Sequence, residues 1–361
     1  MNSTVSDLNR EGDSVKQLPK PEKYSNLDGL RAISCLAIIG YHVKLWTGMQ
    51  LGGAFGRVVD TLTQFVPLFL ILSGFGMFCG YYDRIKNNRI SLNDFYKRRY
   101  KKLFPYMAFV LLLYILIERS LPATIEALAE ATLVFGLLPN VHLSVLGIGW
   151  TVGVIFLFYM LFPFVVFACW TIRRACFTFA ITILLSVFCS EYFFSSEFVV
   201  NFVNRHSFLY CSPLFVAGGM IYLFREPIQS FFSRFRWPCL AVCVLLSGFF
   251  AFCPSSVFGV SITMLKGLLL FVPWVCYSIS VESRLLHNKA TAWVSGISLE
   301  IYLAQALVYK AVGDTIGNDW AGLGWVGFFV NWILIAAGCI VFVMIWKFVS
   351  PLAIKVIKKK A

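Results

Sequence analysis

Apolar runs long enough to cross a bilayer recur along most of this chain, near residues 29–47, 62–82, 103–117, 145–170, 177–195, 208–224, 238–253, 257–281, 291–312 and 325–349. About 20 predominantly apolar residues span a hydrocarbon core as a helix, so the pattern predicts an all-α polytopic membrane protein with about ten transmembrane helices. The third and seventh runs are short. Residues 123–138 (ATIEALAEATLVFGLL) are amphipathic and are expected to lie on the membrane surface or to dip in as a re-entrant piece. Residues 1–26 are polar and mixed in charge and lack the apolar centre of a signal peptide, which predicts a disordered cytoplasmic tail. Residues 352–361 read as a second, basic cytoplasmic tail. Between them, residues 27–351 show no internal repeat and form one membrane domain.

Composition narrows the class. With 59% apolar residues, 36 Phe and 14% charged residues, the chain departs from soluble domains, whose apolar share is nearer 45–50%; its mean hydropathy is +0.76. The formal charge of +13 would suit nucleic acid, but in a membrane protein surplus Lys and Arg mark cytoplasmic loops and meet anionic lipid. Nucleic acid is therefore not an expected partner. With Arg31 counted on the N-terminal side, 25 of the 31 basic residues fall on alternate connections and the two ends, and 6 fall on the other side. The positive-inside rule then places both termini in the cytoplasm and the protein in the cell (inner) membrane, multi-pass. The eleven Cys are scattered through apolar runs without a CxxC pair, so they read as small buried hydrophobes, and no metal site is expected.

One stretch carries unusual chemistry. LDGLRAISCLAIIGYHV (27–43) places an Arg and a His inside an apolar segment. On an α-helix the eleven steps from Arg31 to His42 turn about 1100°, three turns plus roughly 20°, which puts both on one face about 16 Å apart. Asp28 stands where an N-cap belongs, Arg31 can stay at the water boundary, and His42 is carried towards mid-bilayer. Ionisable groups at that depth are functional candidates, although such a His can also merely hydrogen-bond a neighbouring helix.

This stretch resembles the opening helix of the acyltransferase-3 family of integral membrane acyltransferases, in which an Arg and a His stand at this spacing. FVPLFLILSGFGMF (65–78), FYKRRYKKLFPYM (95–107), WTVGVIFLFYMLFP (150–163) and SLEIYLAQ (298–305) are similar to later family segments in the same order. The likeness runs from residue 24 to about 350. It departs at Ile155 and Phe156, where many members carry an acidic residue; at Gln305, where a His is common; and at Lys102, which with Arg99 replaces a pair of Args. Lys keeps the charge but not the bidentate fork that suits phosphate.

The resemblance implies transfer of an acyl group, usually acetyl from acetyl-CoA, to a hydroxyl of a surface polysaccharide or lipid-linked glycan. His42 is then the candidate general base, because neutral imidazole is well matched to removing a hydroxyl proton near pH 7. Arg31, Lys97, Arg98, Arg99, Lys101 and Lys102 are candidate partners for the phosphates of acyl-CoA, though a basic run is also ordinary for a cytoplasmic loop. Cys35 is a lesser candidate for an acyl-carrying thiol, and Ser73 reads as a packing residue. Glu300, about 13 Å into the ninth predicted helix, should have a partner, with Arg31, a helix dipole, His42 or the acceptor as choices. Gln305 joins it as a candidate lining residue. Trp150 and Tyr159 are weaker sugar-contact candidates, and Arg205 and His206, at the outer end of the sixth run, read as loop residues with contact to the acceptor as the alternative. Together these predict a polar cavity reached from both faces and constricted near His42. Two other classes stay open: a transporter of glycans or lipid intermediates, and a membrane scaffold. Oligomeric state is not legible.

Overall fold

The computed structural model describes residues 24–137, 147–193, 204–252, 263–316 and 322–360, which contain helices and no strand. In chain order the helices are α1 (Asn26–Thr47), α2 (Gly53–Thr61), α3 (Phe65–Met77), α4 (Asp83–Lys86), α5 (Leu92–Glu118), α6 (Leu121–Ala131), α7 (Trp150–Ala168), α8 (Ile172–Phe188), α9 (Phe208–Leu223), α10 (Arg225–Arg234), α11 (Arg236–Phe252), α12 (Thr263–Ser280), α13 (Lys289–Gly296), α14 (Ser298–Ile316) and α15 (Trp325–Lys360). Local chemistry sets several ends. The side chains of Ser91, Ser120 and Thr171 cap α5, α6 and α8 by accepting from backbone N–H groups. Asn288 and Thr291 form a reciprocal capping box at α13.

By length and composition, five stretches among the described residues can cross a membrane: Gly53–Lys86, Leu92–Glu118, Trp150–Ala168, Ile172–Tyr192 and Trp325–Pro351. The number rises to seven if each of two sharply bent helix pairs is one span. The expected ten are not reproduced by that measure. α11 and α12 are shorter apolar helices, and α1 is not among the spans; it carries Asp28, Arg31 and Lys44 within its apolar sequence. The predicted helix at 291–312 is in fact the pair α13 and α14, bent by 66° at Ile297. The short third span is instead the second half of a longer element, since α5 begins at Leu92 and takes in the whole basic run. α6 is the expected amphipathic piece, with Leu121, Ile125 and Leu128 exposed and Ala123, Ala127 and Glu130 buried.

Two glycines set the tightest crossing. A Cβ on Gly74 would lie 2.0 Å from the carbonyl oxygen of Phe215, and one on Gly218 would lie 2.1 Å from that of Ile71, so α3 and α9 touch backbone to backbone. α1 packs against α3, α12, α13, α14 and α15. Its start is tied down by Asn26, whose amide donates to the carbonyls of Ser278 (3.0 Å) and Val281 (2.6 Å). Because the helix begins at Asn26, Asp28 is not its cap as expected. It lies in the first turn, where a carboxylate suits the helix dipole, and accepts from Ser295 Oγ at 2.7 Å.

Hydrogen bonds also tie alternate connections to one another. Tyr82 donates to the carbonyl of Cys169, Tyr222 to Asp83, and Gln229 to the carbonyl of Ile279. The connections that hold most of the Lys and Arg therefore gather at one end of the molecule, the end at which α1 begins.

Candidate active site

Two cavities adjoin in the interior. The larger, about 390 Å³, is lined by Arg31, Ser73, Arg99, Lys102, Tyr159 and Glu300 among others. The smaller, about 50 Å³, is lined by His42 with Tyr41, Trp46, Thr63, Trp150 and Arg205. Val66 and Tyr302 line both and form the partition between them. Tyr302 is held in place by its hydroxyl, which lies 2.8 Å from Thr151 Oγ1 and donates to the carbonyl of Ile148 at 3.2 Å.

Arg31 and His42 share a helix face, yet each opens on a different cavity. The Arg31 guanidinium donates to the Leu72 carbonyl at 3.4 Å, over the space left by Gly76, where a Cβ would lie 3.1 Å from Nη2. Arg99 is set in an aromatic cage: Nη2 donates to the Tyr81 hydroxyl, and the guanidinium lies 4.6 Å from the Tyr81 ring centre and 5.5 Å from that of Tyr159. Lys102, one helical turn on from Arg99, faces the same cavity. Arg98 does not line it. It is exposed, because the neighbouring position on a helix points about 100° away.

The ion pairs among the described residues are Lys44 with Asp60, Arg225 with Glu226 and Lys310 with Glu118. Arg31, Arg99 and Lys102 thus face the larger cavity without a carboxylate of the described residues within 4 Å. Glu300 lines the same cavity and makes no ion pair with Arg31. The break at Ile297 puts it in the first turn of α14, not deep inside a span, and there the helix dipole suits a carboxylate.

His42 is oriented by Gln305. The imidazole Nδ1 lies 2.8 Å from Gln305 Oε1, and its ring stacks on Trp46 with centroids 4.8 Å apart and planes 11° apart. An amide oxygen only accepts, so Nδ1 carries the proton and the Nε2 lone pair is left for another donor. Gln305 is fully buried and lines neither cavity; it acts on His42 directly rather than lining the site beside Glu300. Its Nε2 is buried with no hydrogen-bond partner among the described residues. Spacings of three and four put Tyr302, Gln305 and Tyr309 on one face of α14, and Tyr309 packs on Trp46 behind the imidazole, 4.9 Å between ring centres.

The other candidates separate. Trp150 lines the His42 cavity and Tyr159 the Arg31 cavity, where its hydroxyl lies 3.3 Å from Ser73 Oγ, so the two do not share a sugar site. Cys35 is fully buried against the Ser298 carbonyl and reaches neither cavity. Of the pair read as loop residues, Arg205 lines the His42 cavity; Tyr302 was not singled out by residue type or spacing, although it stands inside the SLEIYLAQ stretch. No group of three His, Cys, Asp or Glu able to hold a metal occurs among the described residues.

An oriented imidazole next to a cavity of unpaired cations is the arrangement expected of the family that the opening helix resembles. The family model described as an acyltransferase domain (acyltransferase-3) matches residues 24–349. The chain belongs to the acyltransferase-3 family. It is therefore a membrane acyltransferase by family, acting between an acyl donor and an acceptor. No curated protein and no solved structure matches it. In this acyltransferase the matched region begins two residues before α1 and includes every residue that lines the two cavities.

The hydrogen bond to His42 yields a separable expectation. Gln305→Leu should lower kcat for acyl transfer about tenfold or more with the acyl-donor KM unchanged, and Gln305→His should restore most of it, because imidazole can also accept from Nδ1–H. A packing defect alone would not be rescued by the differently shaped His. Equal loss in both variants would remove Gln305 as a positioning residue.

Proposed function

We propose that this protein is an O-acyltransferase of the cell membrane that takes an acyl group, in the simplest case acetyl, from acyl-CoA. The acceptor is a hydroxyl of a surface polysaccharide or of a lipid-linked glycan. The observation that supports the reading is the pairing of a cavity holding three cations that make no ion pair among the described residues with a second cavity holding an oriented imidazole, Val66 and Tyr302 lining both. CoA is a polyanion, and Arg31, Arg99 and Lys102 suit its phosphates. By the positive-inside rule the end carrying most basic residues faces the cytoplasm, where acyl-CoA is made, and both termini lie there.

In this mechanism the thioester reaches the partition from the larger cavity while the acceptor hydroxyl enters the smaller one. His42 Nε2 takes the hydroxyl proton as the oxygen attacks the thioester carbonyl. The tetrahedral intermediate collapses by breaking the C–S bond, and the proton on His42 passes to the departing thiolate. Gln305 Oε1 holds the imidazole in the required tautomer throughout. The thiol of Cys35, sealed from both cavities, has no part as an acyl carrier.

The test is release of free CoA thiol from acetyl-CoA by purified, lipid-reconstituted protein given glycan acceptors. Arg99→Ala should raise the acetyl-CoA KM about tenfold, and Lys102→Ala by less because its side chain is exposed, since lost ground-state binding appears in KM. Lys102→Arg should leave activity intact. Lower kcat with unchanged acetyl-CoA KM in both Ala variants would remove the larger cavity as the donor site.

A further inference from the structure

On the end of the molecule opposite the basic connections, the charged side chains are largely accounted for. Lys44 pairs with Asp60 and Lys310 with Glu118. Arg57 lies 5.7 Å from the ring centre of Phe252, and Arg119 donates to the carbonyl of Leu116. Arg205 differs. It lines the His42 cavity, is exposed at its edge, and makes no ion pair among the described residues.

Its position is nevertheless defined. Nη1 donates to Thr63 Oγ1 at 3.1 Å, and the guanidinium lies 5.7 Å from the ring centre of Trp150. On Trp150 the ring of His206 is stacked, 4.6 Å between centroids and 19° between planes. Burial and the adjacent Arg205 push His206 down to about 4, so near pH 7 it is neutral and Arg205 supplies the positive charge of this wall. A guanidinium has five donors in a planar fork that fits the paired oxygens of a carboxylate or phosphate, and Thr63 occupies only one of them.

We propose that Arg205 is an acceptor-recognition residue and that the acceptor carries an anionic group, a carboxylate or a phosphate, within about one sugar unit of the acylated hydroxyl. The inference rests on the acyltransferase reading above and extends it to the acceptor's charge. His42 and Arg205 line the same cavity of about 50 Å³, which leaves room for little more than the hydroxyl itself between them and sets that short spacing. The anionic group sits outside the cavity on the exposed edge of the guanidinium, between Thr63 and Trp150, while the hydroxyl reaches inward to His42. Such a contact selects against neutral glycans because they leave the guanidinium without a partner.

The full-length protein in phosphatidylcholine nanodiscs is given acetyl-CoA and, in parallel, cellotetraose, tetragalacturonate and a tetramer of glycerol phosphate. These represent a neutral, a carboxylate and a phosphate acceptor, and their binding to the His42→Ala protein is measured calorimetrically. The proposal expects one anionic oligomer to be bound and acetylated at least about tenfold better than cellotetraose, which also distinguishes carboxylate from phosphate. Arg205→Ala should reduce that preference about tenfold with the acetyl-CoA KM unchanged, and Arg205→Lys should keep part of it. The proposal is overturned if the three oligomers bind alike, or if Arg205→Ala weakens neutral and anionic acceptors equally. Anion binding that depends on Arg205 without any acetyl transfer would uphold the anion site and sink the acyltransferase reading. Acetylation of all three at similar rates would do the reverse.

Discussion

His42→Ala leaves a folded, membrane-inserted protein that transfers no measurable acyl group. The substitution removes the one imidazole on the smaller cavity and replaces it with a smaller apolar group, so the helix keeps its packing against α3 and α14 while the acceptor hydroxyl loses its base. General-base catalysis contributes on the order of 10²–10⁴-fold, so thiol release from acetyl-CoA should fall by at least that lower figure. Acetyl-CoA binding should persist, since Arg31, Arg99 and Lys102 lie across the Val66 and Tyr302 partition. That split between lost turnover and retained donor binding separates a catalytic role from a structural one. Transfer within about threefold of wild type would end the assignment of His42 as the base.

Gly74→Leu should fail to assemble, and Gly74→Ala should be folded but destabilised by roughly 1–3 kcal/mol. A Cβ at this position would sit 2.0 Å from the Phe215 carbonyl oxygen and 2.8 Å from its carbon, and backbone cannot swing aside as a flexible side chain would. The helices would have to separate, and with them Phe215 from its stack on Phe158, now 4.5 Å between ring centres. Gly80 is the control, because a Cβ there meets nothing within 4 Å and Gly80→Ala should be neutral. Thermal unfolding in detergent and the yield of monodisperse protein measure both. A Gly74→Leu protein as stable as wild type would mean that α3 and α9 do not cross as described.

Local chemistry alone determined several features of this protein. The apolar runs, the amphipathic α6 and the spacing of Arg31 to His42 follow from side-chain solubility and from 3.6 residues per turn. The same periodicity turns Arg99 and Lys102 to one side and Arg98 away. The five family-like stretches lie within the residues that the acyltransferase-3 model matches.

Other features were settled only where distant segments meet. Arg31 and His42 share a face of α1, and nothing in that helix divides them. Tyr302, from a helix more than 250 positions away, comes between the cavities they line, and Gln305 one turn on fixes the imidazole. The bend at Ile297 was hidden because the apolar run continues through it, and hydropathy averages over direction; the depth assigned to Glu300 failed for that reason, and of the partners expected for it the helix dipole, not Arg31, is the one its place in the first turn of α14 offers. Gly74 could be read as part of a motif, but its purpose is the absence of a Cβ against a backbone oxygen of α9. Periodicity reports which side of a helix avoids water; which partner occupies that side depends on contacts between segments remote in sequence, and the chemistry of this site is built from those contacts.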